Sequence, residues 1–359
     1  MLCGIFAGIT WALETVILGI ALSMSPFVSN AQGIFLAPFV STFLHDAISA
    51  LLLLGVNGLK GRLKEIFGIC KTKTFPLLIL SSAIGGPVGM TGYVLAVNYM
   101  GASVGAVASA IYPAIGAVLA FVFLKEKIKW YQWLFLLCTL LGVWGLSYTP
   151  ELAIKNFGIG LLGVFMCSFG WGTEGVILSK CMREKGIKSG DALQLRQLIS
   201  ALIYGLVILP CLKGWRFTAG LFSTAGIPVL ATIAAAAFFA TVSYLLYYRA
   251  IAAIGTAKAM GLNITYTAWA IFFSVVLLGD HGVLNFRTIA CALLVVVCGV
   301  LAAVDIKELL KKNADKSSER QIRCFVIFGQ GEKLKKSQNF QIRKKLRCKT
   351  EFFVTIYHF

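Results

Sequence analysis

Charged side chains are scarce in this sequence. Asp, Glu, Lys and Arg make up 13% of its 359 residues, whereas a water-soluble globular domain carries about 25%. Apolar residues make up 58% of the chain, so too few polar side chains exist to cover a folded core in water. The composition therefore excludes an ordinary soluble protein.

Residues that usually carry catalysis or bind metals are also rare or scattered. The chain has only three histidines, so an intramembrane hydrolase would have few candidates for its base. Its ten cysteines include no C-x-x-C pair and predict neither a disulfide framework nor a metal site. We therefore expect no enzymatic activity, no cofactor and no bound metal.

Lys and Arg outnumber Asp and Glu by 33 to 15, but we do not expect nucleic-acid binding. The basic residues of the first 304 positions lie mostly in short loops between apolar segments, where the positive-inside rule of membrane proteins explains them better. The last 55 residues hold 14 of the basic residues. We interpret residues 305–359 as a disordered basic tail on the cytoplasmic side.

Long apolar stretches dominate the sequence, and each is near the roughly 20 residues that a helix needs to cross about 30 Å of hydrocarbon. The first stretch lacks a positive leading region and carries Glu14 midway, so we expect a spanning helix and not a signal peptide. The sequence predicts an all-α protein with ten transmembrane helices, at 2–24, 33–56, 75–98, 101–124, 130–149, 157–180, 190–212, 223–249, 255–278 and 284–304.

Loop charges predict the orientation of these helices. Residues 57–74 hold five Lys or Arg and residues 125–129 hold three, whereas residues 25–32 hold none. Because positive loops stay in the cytoplasm, the even-numbered loops and both termini are predicted to be cytoplasmic.

Three basic residues inside the predicted spans fall near cytoplasmic ends. They are Arg196, Arg249 and Lys258. Long basic side chains there can extend to the membrane surface, so we interpret them as orientation anchors and not as pore residues.

An internal repeat divides the chain. The octapeptide WALETVIL at 11–18 matches WGTEGVIL at 171–178, with five of eight positions identical. We therefore predict a first five-helix repeat at 1–150 and a second at 151–304. Because five is odd, the halves enter the membrane with opposite polarity, and such inverted repeats are typical of secondary transporters.

Acidic residues inside membrane spans are costly and are functional candidates by default. Glu14, Asp46 and Glu174 are in this position. Trp11 and Trp171 each precede a Glu by three residues, a spacing that puts indole and carboxylate on one helix face. The repeat predicts that the two faces meet across a central cavity.

Simpler alternatives stay open for these residues. Each Glu can be protonated and bonded to a nearby backbone carbonyl, and Asp46 can pair with His45 or Arg196.

Aromatic residues inside the spans are the second candidate group, although each one alone is more often a packing residue. Asn263 and Tyr266 are three residues apart and so share one helix face. Residues 85–87 form a Gly-Gly-Pro break in the third predicted helix, and such breaks are typical of helices that line a substrate pathway. With the two tryptophans, these rings suit a quaternary ammonium, which binds to aromatic faces. The set comprises Tyr93, Tyr112, Tyr244, Tyr247, Tyr248, Tyr266 and Trp269.

Three stretches carry a resemblance to a known family: FGWGTEGVILS at 169–179, LRQLISALIYGLVIL at 195–209 and SYLLYYRAIAAIGTAKAMGLNITYTAWAIFFSVVLLG at 243–279. With residues 85–128 they resemble the drug/metabolite transporter superfamily (EamA-type permeases), and most of all the LicB-type choline permeases. The resemblance implies import of choline by alternating access across a bacterial-type cytoplasmic (inner) membrane, coupled to protons or to the membrane potential.

The resemblance also implies roles for particular residues. Trp11, Tyr112, Trp171 and Tyr244 correspond to the family's aromatic cage and Glu174 to its acidic residue, whereas the role of Glu14 rests on the repeat. Two alternatives stay open, an exporter of amino acids or other metabolites on the same fold and a membrane enzyme for lipid head groups. The coupling ion, acceptance of other quaternary amines and formation of a homodimer also stay open.

Overall fold

Residues 1–304 form one compact unit, and the tail at 305–359, with the expectations attached to it, lies outside the described residues. The computed structural model describes residues 1–100, 102–147, 156–183, 187–279 and 281–304, with the side chains of 97–98, 102–109 and 283 left out.

All regular secondary structure in those ranges is helical. The α-helices are α1 (Leu2–Leu22), α2 (Ala31–Leu59), α3 (Leu63–Gly68), α4 (Phe75–Ala83), α5 (Gly89–Met100), α6 (Ala102–Phe123), α7 (Trp130–Ser147), α8 (Phe157–Met182), α9 (Ser189–Ile203), α10 (Leu209–Cys211), α11 (Trp215–Gly220), α12 (Ile227–Ile254), α13 (Thr256–Asn263), α14 (Tyr266–Leu278) and α15 (Phe286–Ala303). Two π-helical turns, Ile84–Val88 and Tyr204–Ile208, join α4 to α5 and α9 to α10.

The helices are those of a multi-pass membrane protein. Within the described ranges, nine segments are long and apolar enough to cross a bilayer, and each coincides with one of the predicted spans. The predicted span 101–124 corresponds to α6 (Ala102–Phe123). The exact count of ten, the repeat, the 1–150 and 151–304 division and the cytoplasmic termini stay predictions.

The exterior of the bundle is apolar and its interior holds the polar groups. Large apolar side chains such as Leu137, Phe165 and Leu206 are exposed, as expected where the surroundings are lipid. The buried polar residues include Glu14, Asp46, Glu174 and Arg196. Ionisable groups in a membrane protein face the interior because lipid cannot solvate them.

The predicted break at residues 85–87 is a π-helical turn at Ile84–Val88. Pro87 lacks a backbone N–H and its ring clashes with the preceding turn, which favours an irregular turn at this point. Gly85 and Gly86 are both buried here and both line the cavity described below.

A second break separates α13 from α14, inside the predicted span 255–278. Helix α13 ends at Asn263 and α14 begins at Tyr266. Helix α1 approaches closely at this break: a Cβ on Gly8 would lie 2.9 Å from Thr265 Oγ1 and 3.3 Å from the Asn263 carbonyl oxygen. The absence of a side chain at Gly8 therefore lets α1 pack against the interrupted backbone.

Ion pairs tie the loop regions together. Arg62 donates to both carboxylate oxygens of Asp191, at 2.7 and 2.8 Å, and so links the end of α2 to the start of α9. Glu126 accepts from the backbone N–H groups of Thr256 and Ala257 at 3.0 and 3.2 Å, which caps α13. Arg183 donates to the same carboxylate at 3.1 Å.

Candidate functional site

A cavity of about 440 Å³ lies inside the bundle. Its walls come from helices of both predicted halves, and the two tryptophans of the repeated octapeptide both lie on it. All eight predicted substrate-binding residues line this cavity: Trp11, Glu14, Tyr112, Trp171, Glu174, Tyr244, Asn263 and Tyr266. The structure thus brings them together, and what they bind stays a prediction.

One aromatic wall is built on Trp11. Its ring lies 4.8 Å from that of Tyr244 and 6.4 Å from that of Tyr266, both in edge-to-face geometry. Tyr244 also has the Arg196 guanidinium 5.2 Å from its ring centroid. The Arg196 guanidinium therefore occupies one face of the Tyr244 ring. A substrate in the cavity can contact only the edge or the other face of this ring.

The second aromatic wall is built on Trp171. Tyr112 meets this indole edge-to-face and Tyr93 stacks on it, both at 6.0 Å between ring centroids. The indole is held in place because its Nε1 donates to the Gly85 carbonyl oxygen at 2.8 Å. The irregular turn in the third span therefore positions a ring of the opposite half.

The wider aromatic prediction is correct in part. Tyr93, Tyr247 and Tyr248 line the cavity as well, whereas Trp269 is not among its lining residues. Trp269 instead packs edge-to-face against Phe272, with ring centroids 6.4 Å apart.

A buried ion-pair network adjoins the rings. Arg196 Nε donates to Glu174 Oε1 at 2.6 Å, and its Nη1 donates to Asp46 Oδ2 at 3.3 Å. Asp46 also accepts from Ser200 at 2.6 Å and contacts His45 Nδ1 at 2.9 Å. The network joins α2, α8 and α9 across the bundle.

The interpretation of Arg196 as an orientation anchor is wrong. Only 3% of the residue is exposed, and both of its donor groups contact carboxylates from other helices. A guanidinium that has two buried acids as partners has no reason to extend to the membrane surface. The alternatives left open for Asp46, pairing with His45 or with Arg196, are both realised.

Glu14 differs from the other two acids. It receives a hydrogen bond from Thr15 at 3.3 Å, and its carboxylate lies 3.8 Å from His45 Nε2. No arginine is recorded as its partner among the described residues. Three carboxylates therefore face one guanidinium and one imidazole, so the cluster carries excess negative charge when all three are ionised, whether or not His45 is protonated.

This arrangement changes the predicted role of Glu174. Its carboxylate is already paired with Arg196, so it is one member of a charge network and not an isolated counter-ion. Within the described residues, no group of three or more His, Cys, Asp or Glu side chains is placed to hold a metal ion.

Sequence reasoning missed the centre of this network, although a signal was present. Gln194, Arg196, Gln197 and Ser200 are all buried within the first turns of an otherwise apolar span. A polar cluster at helical spacing inside a membrane helix indicates an inward-facing polar surface. That cluster argues for Arg196 as an interior residue.

An apolar exterior around a charged, aromatic interior cavity is the construction of a membrane transporter. The model of the EamA-like transporter family matches residues 1–148. Protein LicB of Haemophilus influenzae is 31% identical over 272 residues, which cover 75% of this chain and 86% of that protein. The chain belongs to the EamA-like transporter family of the drug/metabolite transporter superfamily, and it is related to LicB.

A solved structure shows the same fold. It is titled only as the crystal structure of a protein, and it superposes with a TM-score of 0.63 over 84% of this chain and 95% of its own length. Its sequence is 16% identical, so this similarity concerns the fold alone.

Proposed function

We propose that this protein imports choline, or a closely related quaternary ammonium compound, across a bacterial cytoplasmic membrane. The observation that carries the proposal is the composition of one cavity. Two aromatic walls, built on Trp11 and Trp171, stand beside an ion-pair network that carries excess negative charge when its three acids are ionised.

The rings and the charges have separate tasks. A quaternary ammonium cannot donate a hydrogen bond, so a polar cage gains little from it, whereas an aromatic face attracts it at about 0.5–2 kcal/mol. The excess negative charge of the ion-pair network then balances the positive charge of the ammonium group. No carboxylate has to contact the ammonium methyl groups. Glu14, the acid with no arginine partner, is the strongest candidate for that balance and for exchange of a proton.

Transport proceeds by alternating access of the cavity between two inverted halves. The glycine-rich contacts between helices serve such movement because they bring backbones together without interlocking side chains. Gly92 of α5 is one example: an added Cβ would lie 2.5 Å from the Cys167 backbone nitrogen of α8.

Direction and driving force are tested by uptake into proteoliposomes. Radiolabelled choline is expected to accumulate roughly fifty-fold when the inside is about 100 mV negative, because moving one positive charge inwards gains about 2.3 kcal/mol. Collapse of the potential should remove that accumulation. An exporter of amino acids or other metabolites, the competing function on the same fold, would show no choline accumulation and would release its own substrate instead.

The aromatic cage is tested at Trp171. Trp171→Ala is expected to weaken choline binding about thirty-fold, the equivalent of about 2 kcal/mol from a desolvated cation–π contact. Trp171→Phe keeps a ring face but loses the hydrogen bond to Gly85, so its affinity should lie between those of the Ala variant and the wild type. Isothermal titration of the purified variants measures both.

Trp130→Ala is the matched control, because Trp130 is 76% exposed on α7 and does not line the cavity. It should bind choline like the wild type. Equal losses for Trp171→Ala and Trp171→Phe would contradict a π-face contact.

A further inference from the structure

Some buried polar atoms of the described residues have no hydrogen-bond partner. They are His45 Nε2, Tyr204 Oη, Tyr248 Oη, Thr256 Oγ1, Asn263 Oδ1 and Trp269 Nε1. Buried polar groups in folded proteins are nearly always paired, so each exception invites an explanation. Three of these residues line the cavity: His45, Tyr248 and Asn263.

Asn263 differs from the other two in its chemistry. A Tyr hydroxyl can donate or accept and the role of a His nitrogen depends on its tautomer, whereas an amide oxygen can only accept. The free atom of Asn263 therefore requires a hydrogen-bond donor. The residue is 7% exposed, so bulk water does not supply one.

The structure places the Asn263 amide nitrogen against a neighbouring tyrosine hydroxyl. Its Nδ2 donates to Tyr112 Oη at 3.0 Å, and Tyr112 also shares a hydrogen bond with Tyr247. A hydroxyl oxygen has two lone pairs, so Tyr112 can accept from Asn263 and share a hydrogen bond with Tyr247 at the same time. In this orientation of the amide, the oxygen is the atom without a partner.

The location of this oxygen links it to the aromatic cage. Asn263 is the last residue of α13, where the helix breaks, and its partner Tyr112 lies edge-on to Trp171 with ring centroids 6.0 Å apart. Asn263 and Trp171 both line the cavity, so a ligand held against Trp171 lies in the same cavity as this acceptor residue. The ammonium methyl groups cannot use that acceptor, so a second group of the substrate must.

Building on the function proposed above, we infer that Asn263 Oδ1 accepts a hydrogen bond from a hydroxyl group of the substrate. Asn263 is thus a specificity-determining residue, and the substrate class is the quaternary ammonium alcohols. A compound that carries a carboxylate in place of the hydroxyl presents only acceptors to Asn263 and is disfavoured. A compound without oxygen leaves Asn263 unpaired.

The test compares four ligands on the purified full chain by competition with radiolabelled choline. Choline donates a hydrogen bond, choline methyl ether only accepts, ethyltrimethylammonium has no oxygen, and betaine carries a carboxylate. Choline is expected to bind about tenfold more tightly than either the ether or ethyltrimethylammonium, the scale of one hydrogen bond to a buried acceptor. Equal affinities of these three ligands for the wild type would overturn the inference, and so would a preference for betaine.

Asn263→Leu then assigns the preference to this residue. Leucine has a similar size but no acceptor, so the variant should bind choline and ethyltrimethylammonium with equal affinity while affinity for ethyltrimethylammonium stays within about twofold of the wild type. Thr256→Val is the matched control, because Thr256 Oγ1 is another unpartnered atom of α13 but does not line the cavity. That variant should keep the full preference.

These outcomes separate the inference from the proposed function. Binding of every quaternary ammonium without regard to its hydroxyl would leave the proposed function standing and remove the role of Asn263. Binding of none of them by the wild type would overturn both. A choline preference that survives in Asn263→Leu would show that another group reads the hydroxyl.

Discussion

Replacing Arg196 with Gln is expected to destabilise the folded protein by about 3–5 kcal/mol, the usual cost of breaking a buried ion pair by removing one partner. The change leaves two acids, Glu174 and Asp46, without the guanidinium that lies 2.6 and 3.3 Å from them. Neither carboxylate can turn to water, since both residues are less than 10% exposed. The free energy of unfolding in mixed micelles measures the effect.

Arg196→Lys should recover only part of this loss. The guanidinium uses Nε for Glu174 and Nη1 for Asp46 and for Gln197, the last at 2.7 Å. A lysine ammonium is a single point with three donors and cannot reproduce that spread. The triple variant with Glu174→Gln and Asp46→Asn should regain most of the stability lost in Arg196→Gln, because the two carboxylates that lose the guanidinium are then replaced by neutral amides.

Arg249→Gln is the matched control. Arg249 lies in α12 and is exposed, and surface charges contribute about 0–1 kcal/mol. A loss of stability in Arg249→Gln as large as that in Arg196→Gln would show that removal of any arginine, and not of this ion pair, is responsible.

Much of the cavity could be predicted from local patterns. The Trp-x-x-Glu spacing places ring and acid on one helix face wherever the helix lies, and the repeat implies that Trp11 and Trp171 occupy related positions. Both line the cavity. Helix periodicity and the cost of an acid in lipid therefore suffice to select these residues.

The pairing of the charges could not be predicted in the same way. Arg196 and Asp46 are 150 residues apart, and no period along the chain relates them. Their contact depends on how α2 packs against α9, which is a property of the assembled bundle. The position of Arg196 near a predicted helix end favoured a location at the membrane surface. Its ion pairs with two buried acids favour the interior of the bundle more strongly.

The helix break after Asn263 was equally hidden. Residues 255–278 read as one apolar stretch, without a proline to interrupt it. The break occurs where α1 packs against the backbone at Gly8, a contact between residues that are far apart in the sequence. It also separates Asn263 from the turn that continues to Tyr266, although both remain on the cavity.

Gly85→Ala is the second change for which we expect a large effect. A Cβ at this position would lie 1.9 Å from both the Cδ and the Oε2 of Glu174, a separation that no real contact allows. A carboxylate at the end of a flexible side chain can usually move aside at little cost. Here it cannot, because Arg196 holds it at 2.6 Å in a buried site.

The added methyl group therefore either clashes with the Glu174 carboxylate or forces it away from Arg196 and breaks the ion pair. We expect a loss of about 3 kcal/mol in stability and at least a tenfold loss in choline affinity. Gly19→Ala is the control, because Gly19 also lines the cavity but a Cβ there has no heavy atom within 4 Å. That variant should be as stable as the wild type, or more stable by up to about 1 kcal/mol, since alanine favours a helix over glycine.

Shortening the displaced side chain tests the cause. Glu174→Asp withdraws the carboxylate by one methylene, so the double variant Gly85→Ala with Glu174→Asp should be more stable than Gly85→Ala alone. If the second change instead adds its own loss to the first, the clash with Glu174 is not the reason for the effect. In that case the strain of a methyl group within the π-helical turn, which positions Trp171 through the Gly85 carbonyl, becomes the better explanation.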